Sequence, residues 1–130
     1  MKRSKNITDT ELAVLKFLWD HDSATARDIV ESLYPRSTAS EVGTVHSMLQ
    51  RLEAKKFIKR DRTTHAHTFS ATVTKANMAG FQLQNIANKL TDGSYAPFLT
   101  HLIEGDRLSP ADLAELRSLL KRRRTPGGNK

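Results

Sequence analysis

"EVGTVHSMLQRLEAKKFIKRDR", residues 41–62, carries two patterns at once. At 100° per residue, Val42, Val45, Met48, Leu49 and Leu52 fall within one arc of about 120°, the width a helix buries against a core. Gly43, Thr44, His46, Ser47, Gln50 and Arg51 fall on the opposite side. That outer face mixes residues of little bulk, Gly43 and Ser47, with side chains that donate and accept hydrogen bonds. Short side chains let a helix backbone come close to the floor of a DNA major groove. Gln50 and Arg51 are long enough for bidentate contacts to base edges. The stretch then turns cationic, with Lys55, Lys56, Lys59, Arg60 and Arg62 relieved only by Asp61. Cations flanking a base-reading helix suit phosphates.

The neighbouring segments supply the rest of a recognisable order. "KFIKRDR" and "HTFSATV" alternate apolar with polar, as a half-buried hairpin does, and the polar loop "RTTHA" joins them. Lys55, Lys59, Arg60, Arg62 and His65 are the candidate backbone contacts on this wing. Upstream, "TDTELAVLKFLWD" opens with a capping box, Thr8 with Glu11. Leu12, Leu15, Leu18 and Trp19 follow as one stripe, with Val14 and Phe17 on an adjacent flank. "SATARDIVESLYP" repeats the start signal with Thr25 and Asp28, buries Ile29, Val30 and Leu33, and stops at Pro35. Three helices followed by a two-stranded ribbon form a winged helix-turn-helix, a mainly α fold. A solvated polar face would explain any one of these helices. It does not explain the small-residue face, the helix pair before it and the basic ribbon together.

From Val73 the character changes. "TKANMAGFQLQNIANKL" is helical, with Thr74 as cap and Ala79, Leu83, Ile86 and Leu90 on one stripe. "YAPFLTHLIEG" is a short apolar helix ended by Gly105. "SPADLAELRSLLKRRR" starts with Ser109 as N-cap, Pro110 in the first turn and Asp112 three residues after the cap, and carries Leu113, Leu116, Leu119 and Leu120. Three short amphipathic helices bury little surface alone. The expectation is a helical dimerisation domain in which Leu83, Ile86, Leu90, Phe98, Leu102, Leu113, Leu116 and Leu120 meet a second copy. Packing back on the same chain is the rival. Two-fold symmetry suits a palindromic DNA site. The expected division is a DNA-binding domain over 1–73, a dimerisation domain over 74–124 and a disordered basic tail over 125–130.

Composition bounds the alternatives. With 21 Lys and Arg against 14 Asp and Glu, the 130-residue chain has a net charge of +7, which points to a polyanionic partner. No cysteine is present, so disulfides and thiolate metal sites are excluded. No apolar run is long enough to span a membrane and the N-terminal residues lack a signal-like apolar core, so a cytoplasmic protein is expected. His65 and His67 are the one close histidine pair. They read as surface residues, since a metal site needs further ligands. No Gly-rich phosphate loop, nucleophile elbow or paired carboxylates stand out, so neither an enzyme nor a cofactor is expected.

The run "DTELAVLKFLWDH…TARDIVESL…GTVHSMLQRLEAKKFIKR", followed by "LTDGSYAPFLTHLIEGDRLSPADLAELRSLL", resembles the BlaI/MecI family of beta-lactamase repressors from about Asp9 to Leu120. The family's recognition-helix pattern is matched by Thr44, Val45, His46, Ser47, Met48, Leu49, Gln50, Arg51 and Leu52. The resemblance implies a homodimeric repressor of beta-lactamase or related antibiotic-response genes that sits on inverted-repeat operators in double-stranded DNA. It assigns DNA contacts to Gly43, Thr44, His46, Ser47 and Arg51. The glycine usual before the ribbon is Lys56 here, which implies either a strained turn or an added phosphate contact. The resemblance also implies release by proteolysis in the C-terminal domain, near His101–Leu102, triggered by a membrane sensor protease or its downstream protease. Two other readings stay open: a MarR-like winged-helix regulator released by a small ligand, and a protein-binding winged helix whose basic ribbon docks an acidic partner.

Overall fold

The computed structural model describes residues 6–36 and 38–123. Arg124 and the expected tail over 125–130 lie outside them. The elements run α1 (Asp9–Trp19), β1 (Ala24–Thr25), α2 (Ala26–Leu33), α3 (Ala39–Ala54), β2 (Ile58–Asp61), β3 (Thr68–Ala71), α4 (Lys75–Leu90), α5 (Ala96–Glu104) and α6 (Pro110–Arg123). The chain divides into two compact units, Met1–Ile86 and Ala87–Lys130.

In the first unit the helices start where local chemistry places them. Each of α1, α2 and α3 begins with a complete capping box: Thr8 with Glu11, Thr25 with Asp28, and Thr38 with Glu41. In each box the threonine hydroxyl accepts a first-turn N–H and the carboxylate accepts the N–H of the cap itself, so two otherwise unsatisfied donors are paired. The apolar faces of the three helices then meet. Val14, Leu15 and Leu18 of α1, Ile29 and Val30 of α2, and Val45, Met48, Leu49 and Leu52 of α3 are buried together. Phe57, Ile58 and Phe69 close the core from the wing side.

α3 ends in a left-handed turn. Lys56 has φ 67°; its N–H donates to the Glu53 carbonyl and the N–H of Phe57 donates to the Leu52 carbonyl, the paired bonds of a Schellman motif. Of the two alternatives for this position, the geometry matches the strained turn: a lysine occupies a conformation that favours glycine.

The wing is larger than the expected two-stranded ribbon. β2 and β3 pair antiparallel, Arg60 opposite Phe69, and β1 adds on the far side of β3 with Ala24 opposite Phe69, giving the order β1-β3-β2. β1 has two residues, too few for alternation to mark it as a strand. α4 begins inside the first unit, where Met78 is buried and Phe81 stacks on Phe57 with ring centroids 6.3 Å apart. Trp19 donates its indole N–H to the Val73 carbonyl at 2.8 Å, tying α1 to the entry of α4.

In the second unit, α6 starts with Ser109 and Asp112 exchanging capping bonds of 3.0 and 3.1 Å. Among the described residues neither α5 nor α6 contains a buried side chain.

Candidate nucleic-acid interface

α3 is fixed by its buried arc, and the opposite face is open. Gly43, Thr44, His46, Ser47, Gln50 and Arg51 are all exposed, while Val45, Met48, Leu49 and Leu52 are inaccessible. A Cβ built on Gly43 meets nothing within 4 Å, so the absence of a side chain there serves no packing within the chain. The Thr44 hydroxyl donates to the Ser40 carbonyl at 3.0 Å, which turns its methyl group and oxygen lone pairs outward.

The cations divide into two groups that sequence reading did not separate. Arg51 donates its Nε–H to Glu11 Oε2 at 2.9 Å, and Lys55 Nζ lies 2.9 Å from Glu11 Oε1 and 2.9 Å from the Asn6 carbonyl. Glu11 is fully buried, and its Oε1 also accepts the Thr8 N–H of the capping box. Burial alone would raise its pKa. Hydrogen bonds from Lys55, Arg51 and Thr8, with the field of Lys55, outweigh that and hold the carboxyl below the ordinary value of 4.5. Arg51 keeps 53% of its side-chain surface exposed, against 23% for Lys55. Arg51 thus still offers surface on the outer face of α3, whereas Lys55 is chiefly a strut between α1 and α3.

On the wing, strand alternation turns Arg60 inward beside Ile58. Its guanidinium lies 4.8 Å from the centre of the Phe69 ring and 3.2 Å from Glu53. Its Nε is buried with no acceptor among the described residues. Arg62 reaches the other oxygen of Glu53 at 3.8 Å. Lys59, Arg62, His65 and His67 are exposed. Asp61 caps the wing loop by accepting from the Thr63 hydroxyl at 2.7 Å and the Thr63 N–H at 2.8 Å. Those two bonds hold its carboxyl below the usual value despite some desolvation, with the fields of Lys59 and His67 contributing less. Among the described residues no group of three His, Asp or Glu converges as a metal site.

The expected dimer-forming side chains are placed by their helices. Leu83 and Ile86 of α4 are exposed in the first unit, and Leu90 is 73% exposed. In the second unit Leu102 and Leu120 are exposed and Phe98, Leu113 and Leu116 are half-buried. Leu99, Ile103 and Leu119 are exposed as well, apolar residues that the sequence reading left out of the interface. The bond between His101 and Leu102 lies within α5.

Comparison with known proteins agrees with this arrangement. A family model described as penicillinase repressor matches residues 7–122. The penicillinase repressor of Bacillus licheniformis is 25% identical over 121 residues, covering 93% of this chain and 94% of that protein. The methicillin resistance regulatory protein MecI of Staphylococcus aureus (strain N315) is 23% identical, covering 93% of this chain and 98% of that protein. The solution structure of the DNA-binding domain of the repressor BlaI superposes with a TM-score of 0.50 at 27% identity, over 59% of this chain and 93% of that domain. No described helix is long and apolar enough to cross a membrane. A chain matched over nearly its whole length by that model, with α3 of a winged helix turned outward, belongs to the penicillinase repressor family, whose members are DNA-binding repressors and not enzymes.

Proposed function

We propose that this protein is a homodimeric transcriptional repressor acting in the cytoplasm, with α3 reading the major groove of each half of an inverted-repeat operator. Residues 1–73 bind DNA and residues 74–124 dimerise. The regulated genes are those of a beta-lactamase or a related antibiotic response, the process named in its relatives. The observation that carries the reading is the outer face of α3: an open Gly43 and short polar side chains on a helix whose other face is locked into the core. Gly43, Thr44, His46, Ser47, Gln50 and Arg51 contact bases, and Lys59, Arg62 and His65 contact phosphates. Arg60 and Lys55 mainly hold the wing and α1 in place beside them.

Dimerisation is supported by the apolar side chains left open on α4, α5 and α6, since monomeric proteins rarely expose apolar surface in such runs. Release by a membrane sensor protease or a downstream protease acting near His101–Leu102 completes the cycle. Because that bond is helical, cutting it requires α5 to unwind locally. A footprint on the DNA around the protein's own gene tests the reading. It should protect a two-fold symmetric site with half-sites about one or more helical turns apart. Protection without symmetry, or none, would overturn it.

A further inference from the structure

The fold brings together residues that are distant in sequence. An open cleft of 470 Å³ lies between the start of α2, the outer face of α3 and the wing, and its lining includes Arg27, His46, Arg60, His65 and His67. Among the described residues that line the cleft none is acidic. We propose that this cleft seats a DNA phosphodiester, and that filling it takes up protons on His65 and His67. The proposal rests on the DNA-binding reading and adds two residues to it, Arg27 and His67, together with a dependence on pH.

The charges around the histidines favour this occupant. From α2, Arg27 faces the cleft, with Glu31 3.4 Å from its Nε; Glu31 also lines an adjoining hollow with His46. From β2, Arg60 lies at the cleft and is paired with Glu53 of α3. From the wing loop, Asp61 feels the field of His67 while its oxygens are held by Thr63. The nearby carboxylates are thus each engaged with a neighbour, and the cleft itself offers nitrogen donors. A phosphodiester is a permanent anion, and an anion beside an imidazole favours its protonated, doubly donating form. Histidine is the side chain that ordinarily changes charge between about pH 5 and 8, so the seat strengthens as pH falls through that range.

The test uses fluorescence anisotropy of the full chain with a labelled mixed-sequence DNA duplex, at constant ionic strength, at about pH 6 and about pH 8. The wild type should bind about tenfold or more tightly at the lower pH, the scale of one charge-assisted hydrogen bond. The double variant H65Q/H67Q should lose most of that gain. H65K/H67K, with cations at both pH values, should bind at pH 8 nearly as the wild type does at pH 6. His21→Gln, outside the cleft, should leave the gain intact. Melting temperatures of the variants, whose sites are exposed, check that each is folded. Equal pH dependence in the wild type and H65Q/H67Q, or a gain abolished by His21→Gln, overturns the seat while leaving DNA binding standing. No binding to this duplex or to DNA around the gene at either pH overturns both.

Discussion

Replacing Glu11 by Gln should loosen α3 from the inside. The carboxylate is fully buried, accepts the Thr8 N–H, and meets Arg51 and Lys55 at 2.9 Å each. Removing one partner of a wholly buried ion pair costs about 3–5 kcal/mol, whereas exposed pairs contribute at most about 1 kcal/mol. Here the anion is buried but Arg51 is half exposed and can be rehydrated, so the loss should fall between those limits, about 2 kcal/mol. For a unit of this size that lowers the melting temperature by roughly 10 °C. Thermal unfolding followed by circular dichroism at neutral pH measures it. The pH dependence adds a second check. The folded-state pKa of Glu11 lies below its ordinary value of 4.5, so its contribution is present above that value and fades as the pH falls through the folded pKa. The gap between the wild type and E11Q should therefore be constant from neutral pH to about 5 and close below 4.5. Equal melting temperatures at neutral pH, or a gap that persists unchanged in acid, would refute the assigned role.

Lys56→Gly should stabilise the chain by up to about 1 kcal/mol, since glycine tolerates φ 67° and offsets part of the gain by its own chain entropy; a drop in denaturation midpoint would contradict the strain. Gly43→Ala should raise helix stability by about 0.5–1 kcal/mol, having open space around it, yet weaken operator binding. Stability and affinity rising together would show that DNA does not approach this part of α3. Leu120→Asp should dissociate the proposed dimer in sedimentation velocity while the circular dichroism of the wild type is kept; two chains persisting would remove that end of α6 from the interface.

Much of the fold was legible because it is locally encoded. Thr8 with Glu11 and Thr25 with Asp28 each mark a helix start within four residues, and the spacing of Val45, Met48, Leu49 and Leu52 marks which face of α3 goes inward; the matching Thr38–Glu41 box that starts α3 went unread. What escaped is what depends on distant partners. Glu11 reads as a capping residue, which it is, but its ion pairs with Arg51 and Lys55 span 40 and 44 residues and leave no periodic trace. β1 escaped because two residues cannot alternate, and its pairing with β3 is made across more than forty positions. Arg60 offered a signal: it shares strand parity with the apolar Ile58 and so points inward, while Lys59 points out. Arg27 gave none, and His67 stood out only as half of a close histidine pair, as their sharing one cleft depends on how α2, α3 and the wing converge. The apolar stripe of α4 was plain in the spacing of Leu83, Ile86 and Leu90, though periodicity identifies an apolar face without identifying what covers it.

If Thr44 meets a base edge as proposed, the bond from its hydroxyl to the Ser40 carbonyl constrains which base it would tolerate. With its proton committed, Thr44 presents a methyl group and an acceptor. Adenine and cytosine edges, which donate an amino hydrogen in the major groove, match that acceptor, and the methyl group suits thymine. A guanine edge shows two acceptors and would face it lone pair to lone pair. The half-site base opposite Thr44 should accordingly be anything but guanine.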